Sequence, residues 1–189
     1  SAKQQKMVTL DEYIAAMPAD QESIFYAAGE SVDRLAKLPV VTTVLGRGYD
    51  VLLCTDELDE FALQMLREYE EKELKNVSSG DLGLESEAEK QEAENVAESN
   101  KDLFETMKEA LGDKVVNVTV STRLTDAPAC VTAAGPVSLE MERVMAGTPN
   151  ADDVKSERVL EINPKHAVFA TLQAASDNGD TEKVKLYTD

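Results

Sequence analysis

A chain of 189 residues is long enough for one large or two small domains, at roughly 100–200 residues per domain. Its apolar share of 42% and charged share of 30% are those of a globular protein and exclude disorder throughout. The 37 acidic and 19 basic side chains give a net charge of −18, which repels a phosphate backbone and excludes sequence-independent nucleic-acid binding.

In chain order, TLDEYIAAM predicts a short helix ended by Pro18, and Ser23–Ala28 (SIFYAA) reads as a buried strand. A short helix over 30–38 carries Val32, Leu35 and Leu38 on one face, and a second follows Pro39 around 41–45. After the Gly46-Arg47-Gly48 turn, Tyr49–Cys54 is an apolar strand. A helix over 56–69 follows, capped by Thr55 or Asp56, where Leu58, Phe61, Ala62, Met65, Leu66 and Tyr69 form an apolar stripe. A last short strand over 74–77 makes the order strand, helices, strand, helix, strand. That order predicts a small three-layer α/β unit with a largely parallel sheet.

Residues 78–86 (SSGDLGLES) are polar and glycine-containing, so the domain boundary belongs there, dividing the chain into 1–80 and 81–189. Beyond it, 81–113 holds eleven acidic and three basic residues. A continuous helix over 87–111 would be roughly 37 Å long. Its acidic half reads as a solvated face, because no His and no turn are present to wrap an ion. Residues 115–121 and 129–132 then predict a hairpin across Thr125-Asp126-Ala127-Pro128, followed by a short amphipathic helix over 138–145 and a strand over 158–162. Asn163-Pro164 reads as an N-cap with proline at the first helical position, opening a helix over 165–175, and a final helix begins near Asp180. The expected fold class is α/β followed by α+β, with a long helix leading into the hairpin-containing second unit.

Enzymatic signatures are missing. No GxxxxGK[ST], GxGxxG after a strand, HExxH or GxSxG occurs in the sequence. His166, the only histidine, has no nucleophile or ligand companion beside it and is expected as a surface or cap residue. Cys54 and Cys130 are expected as buried small hydrophobes in a reducing cytoplasm. No apolar run reaches the roughly 20 residues of a membrane-spanning helix and the first residues hold no apolar signal core, so a soluble chain is expected.

The segments TRLTDAPAC (Thr122–Cys130), RVLEINPKHAVF (Arg158–Phe169) and DVLLCTDELDEF (Asp50–Phe61) resemble the heat shock protein 90 chaperones of the bacterial HtpG type. Their order and spacing match along nearly the whole chain from about Thr9. The resemblance implies that the first unit ends the family's middle domain and the second is most of its C-terminal domain. The family's nucleotide-binding domain, which uses ATP and Mg, and its dimerisation helices lie outside this stretch. The chain is therefore expected to be a fragment without ATPase activity or cofactor, monomeric or weakly associating. The resemblance further implies that unfolded client proteins touch Phe61, where the family usually has Trp, and the short helix carrying Leu139, Met141, Val144 and Met145. Spacing agrees in part, since Met141 and Met145 are i,i+4 neighbours and flexible Met suits a surface that must fit many partners. Two alternatives to a client-binding module follow: a scaffolding pair that only transmits motion, and an acid/base enzyme built on His166.

Overall fold

A computed structural model describes residues 1–79, 82–149 and 154–188. The first sheet is built around β1 (Ser23–Ala28), which pairs in parallel with β2 (Leu52–Cys54) on one side and β4 (Lys72–Asn76) on the other. A two-residue strand β3 (Glu68–Tyr69) closes the order β2-β1-β4-β3 as an antiparallel edge. Because β1 is central and parallel, both its faces are covered, and its unbroken apolar run SIFYAA is what that position demands. Phe25 and Ala27 face α2 (Val32–Leu35) and α3 (Pro39–Gly46) in one apolar cluster with Leu35, Val40, Val41 and Val44. Ile24 and Tyr26 face the other way, onto α1 (Leu10–Ala15) through Tyr13 and onto α4 (Asp59–Leu66) through Leu63. The period of two along the strand thus places helices on both faces.

The second sheet has the order β5-β7-β6: β5 (Asn117–Val120) runs parallel and β6 (Ala129–Ala134) antiparallel to the central β7 (Glu157–Ile162). Its core gathers Leu103, Phe104 and Met107 of α6 (Lys101–Leu111), Phe169 and Leu172 of α8 (Ala167–Asp177), and Val184 of α9 (Thr181–Thr188) over Val118, Val120 and Ile162. Half-buried Ala93 and Val96 of α5 (Glu87–Ser99) pack against its edge. The chain is mixed α/β with two mixed sheets, and no described helix is long and apolar enough to cross a membrane.

Several expectations need correction. The predicted hairpin is absent: β5 and β6 do not pair, because β7 inserts between them. The turn at 125–128 is held instead by the side chain of Asn163, which donates to the carbonyls of Thr125 at 3.0 Å and Ala127 at 3.1 Å. Asn163 is therefore a buried structural residue, and the cap of α8 is His166, whose Nδ1 accepts from the Val168 N–H at 3.2 Å. The single long acidic helix is two helices. Asn100 leaves helical geometry at φ −120°, ψ 27°, its Nδ2 donating to the Val96 carbonyl and its Oδ1 accepting from Gln173.

The helix over 56–69 is also shorter, ending where Arg67 turns to φ 62°, and Tyr69 belongs to β3. Leu58 and Met65 of the predicted apolar stripe are 69% and 84% exposed. The face that α4 buries is marked by Glu60, at 1%. Val32, expected on a buried face, is likewise exposed. Gly80 and Asp81 of the expected boundary segment, and Asp189 of the final helix, lie outside the described residues.

Candidate functional site

The residues expected to touch clients sit on α4 and on α7 (Leu139–Met145), one from each half of the chain. Helix α4 starts with Asp59 and Glu60 in its first turn, where carboxylates favour the positive end of the helix dipole. Asp56 tightens the entry, its Oδ1 accepting from the Leu58 N–H at 2.9 Å. Helix α7 is capped by Ser138, whose hydroxyl oxygen accepts from the Met141 N–H at 3.0 Å.

Phe61, Leu139, Met141, Val144 and Met145 are all half-buried. None of the five belongs to, or packs against, any of the three apolar clusters found among the described residues. They lie outside those clusters and are not fully exposed. On the exposed flank of α4 the surface continues through Leu58, Met65 and Leu66. Leu139 stands apart from Met141, Val144 and Met145. With Glu140 and Arg143 it lines a cleft of about 420 Å³ that Pro39, Val40 and Asn76 also line.

The two helices meet at a polar contact that carries no signature in the sequence. Glu60 Oε1 accepts from Asn76 Nδ2 at 2.5 Å, and Oε2 accepts from the Ser138 hydroxyl at 2.7 Å. Burial pushes the Glu60 carboxyl up from its ordinary value, Glu140 adds to this, and the bonds from Ser138 and Asn76 offset only part of it. Gln64, one turn further along α4, reaches the Pro136 carbonyl at 3.4 Å. An Asp-Glu pair in a first turn reads as a solvated dipole partner, so nothing in DELDEF singled out Glu60.

A second buried network joins the halves. Arg123, 5% exposed, donates through Nε to Glu161 Oε2 at 3.0 Å and through Nη2 to Oε1. Its Nη1 donates to the carbonyls of Val77 at 3.2 Å and Ser79 at 2.9 Å, just after β4. Burial works to raise the Glu161 carboxyl. Arg123 and the hydroxyls of Thr132 and Ser121 outweigh it and hold the carboxyl below its ordinary value. The Ala133 N–H donates to the Ser78 carbonyl at 3.2 Å, so the start of the expected boundary segment is stitched to β6. Arg123 lies in the TRLTDAPAC segment, where the sequence marked it only by likeness.

Other chemistry is sparse. His166 spends Nδ1 on its capping bond. The half-buried thiols of Cys54 and Cys130 are free and are pushed up to about 12 by burial, which leaves them as unreactive thiols. Among the described residues no group of three or more His, Cys, Asp or Glu side chains could hold a metal ion.

A model of the Hsp90 protein family matches residues 1–188. The chaperone protein HtpG of Bacillus subtilis (strain 168) is 49% identical over 188 residues, covering 100% of this chain and 30% of that protein. HtpG of Bacillus velezensis is 50% identical over 188 residues and HtpG of Clostridium botulinum (strain Langeland) 50% over 189, with the same coverage. The chain thus spans 30% of the length of the curated relatives it matches.

Proposed function

Because the chain belongs to the Hsp90 protein family, we propose that it is the client-contacting part of a molecular chaperone, with residues 1–80 ending a middle domain and 81–189 forming most of a C-terminal domain. The observation that carries this reading is the set of half-buried apolar side chains on α4 and α7 that stand outside all three cores. Apolar side chains grouped near water outside a core support a contact surface, and two thioethers in the set allow repacking around different partners. The partner class is unfolded or partly folded protein in the bacterial cytoplasm, and this stretch itself carries no ATPase activity and holds no cofactor.

The test is direct. The chain should slow the aggregation of a chemically unfolded test protein, and the Phe61→Ala and Met141→Ala/Met145→Ala variants should slow it less at unchanged helix content. Equal protection by all variants would remove the surface from consideration.

The scaffolding alternative is favoured by a different observation, the Arg123 network that binds the exit of β4 to the second sheet. In that reading the two halves carry motion between neighbouring domains and touch no client. It expects no protection against aggregation from any variant or from the parent chain.

A further inference from the structure

Glu60 is the one acidic side chain among the described residues that is fully buried without a cation beside it; the other buried carboxylate, Glu161, has Arg123. Burying an unpaired carboxylate is costly, so a folded chain that keeps one there gains something else from it. Its two oxygens answer two different elements: Oε1 takes the Asn76 amide at the end of β4, and Oε2 takes the hydroxyl of Ser138. Ser138 is at the same time the N-cap of α7, so its oxygen also orients the first turn of that helix through Met141. Phe61 is the next residue after Glu60, and Met141 is the residue whose N–H Ser138 holds.

We propose that Glu60 is a positioning residue that registers α4 against α7 and so fixes the spacing between Phe61 and the Met141–Met145 face. This deepens the client-surface reading and rests on it. The carboxylate does not touch the client; it acts through Asn76 and Ser138. The groups that act on it are Asn76 from β4, Ser138 and Glu140 from the α7 segment, and the hydroxyl of Tyr26 from β1. None of these is cationic, so Glu60 acts through hydrogen bonds, whose direction makes the register specific.

The test uses spin labels on Ala62→Cys of α4 and Ala146→Cys at the end of α7, both exposed positions, with the native thiols slow to label because of their raised values. The distance between labels is read by pulsed electron resonance, and client affinity by binding of labelled, permanently unfolded carboxymethylated α-lactalbumin. Glu60→Ala should lengthen and broaden the distance distribution and weaken binding roughly tenfold, the scale of losing bonds to a charged group. Ser138→Gly, which keeps a tolerated cap residue and removes the hydroxymethyl group, should reproduce the distance change, and it carries the test if Glu60→Ala does not fold. Glu60→Gln should restore most of both, since the carboxamide still accepts from Asn76 and can donate to Ser138.

An unchanged distance in Glu60→Ala or Ser138→Gly overturns the proposal, as does a changed distance with unchanged client affinity. If Phe61→Ala and Met141→Ala/Met145→Ala both bind client as the parent does, the surface reading fails instead. The distance measurement needs no client and separates the two failures.

Discussion

The Ser138 hydroxyl donates to Glu60 at 2.7 Å while its oxygen accepts from the Met141 N–H at 3.0 Å, so one small side chain both satisfies a buried carboxylate and caps a helix. The contact joins residues 78 positions apart and belongs to no secondary-structure ladder. Its strength depends on the protonation of Glu60, which supplies the acceptor oxygen.

That dependence has a definite sign. Burial places the folded Glu60 carboxyl above its ordinary value, so protons bind the folded chain more tightly than the unfolded one. The stabilising contribution is complete below the unfolded value and is lost as pH rises through the folded one. Urea melts of the parent and of Glu60→Gln between about pH 4 and about pH 8 should show the parent gaining relative to the variant as pH falls. A gap that does not change with pH would contradict the assignment.

Arg123 should behave in the opposite way. Replacing it with Ala leaves the Glu161 carboxylate buried without its cation and leaves the Val77 and Ser79 carbonyls without a donor, a loss of about 3–5 kcal/mol. Glu161 is held below its ordinary value in the parent, so its contribution is present above the unfolded value and disappears as pH falls through the folded one. The Arg123→Ala deficit should accordingly be largest at neutral pH and shrink in acid. A urea midpoint within error of the parent at neutral pH would show the network to be dispensable.

How far the sequence was legible follows from which interactions are local. SIFYAA gave β1 to the residue, because a strand buried on both faces needs only an apolar run, and Ser138 is visible as a cap because capping acts over three residues. The hairpin failed because turn chemistry at 125–128 looks the same whether the next strand returns to β5 or to a strand some thirty residues later in the chain, and only the pairing with β7 decides it. β3 was missed since its turn runs through Glu70 and Glu71 at φ 47° and 61°, positions where Gly or Asn would normally give the signal. The surface residues were placed by likeness to a family. Their tether at Glu60 was invisible, as a buried carboxylate with neutral partners has no pattern in one dimension.

Nucleotide should not bind. The sequence holds no glycine-rich loop opening a helix, the arrangement that cradles phosphates, and its net charge of −18 opposes a polyanion. Calorimetric titration of the 189-residue chain with Mg-ATP should give no heat of binding. A saturable isotherm would overturn this expectation.

Met141 and Met145 give the sharpest test of the client surface. Truncating a fully buried Met to Ala costs roughly 2–5 kcal/mol, whereas exposed substitutions stay within about 0.5 kcal/mol. Both residues are half-buried on one face of α7 and neither packs against a core, so the double variant should fall nearer the lower bound. Its urea midpoint should move little while its hold on an unfolded client weakens severalfold, because contact residues lose partner-side burial rather than fold-side packing. Val144, one position before Met145 and also half-buried, is the internal control: Val144→Ala removes less apolar surface and should weaken client binding by less than the double change. A large stability loss with unaltered client binding would reassign the pair to structural packing. Phe61, with Leu58 and Met65 exposed around it, would then be left to carry the surface from α4 alone.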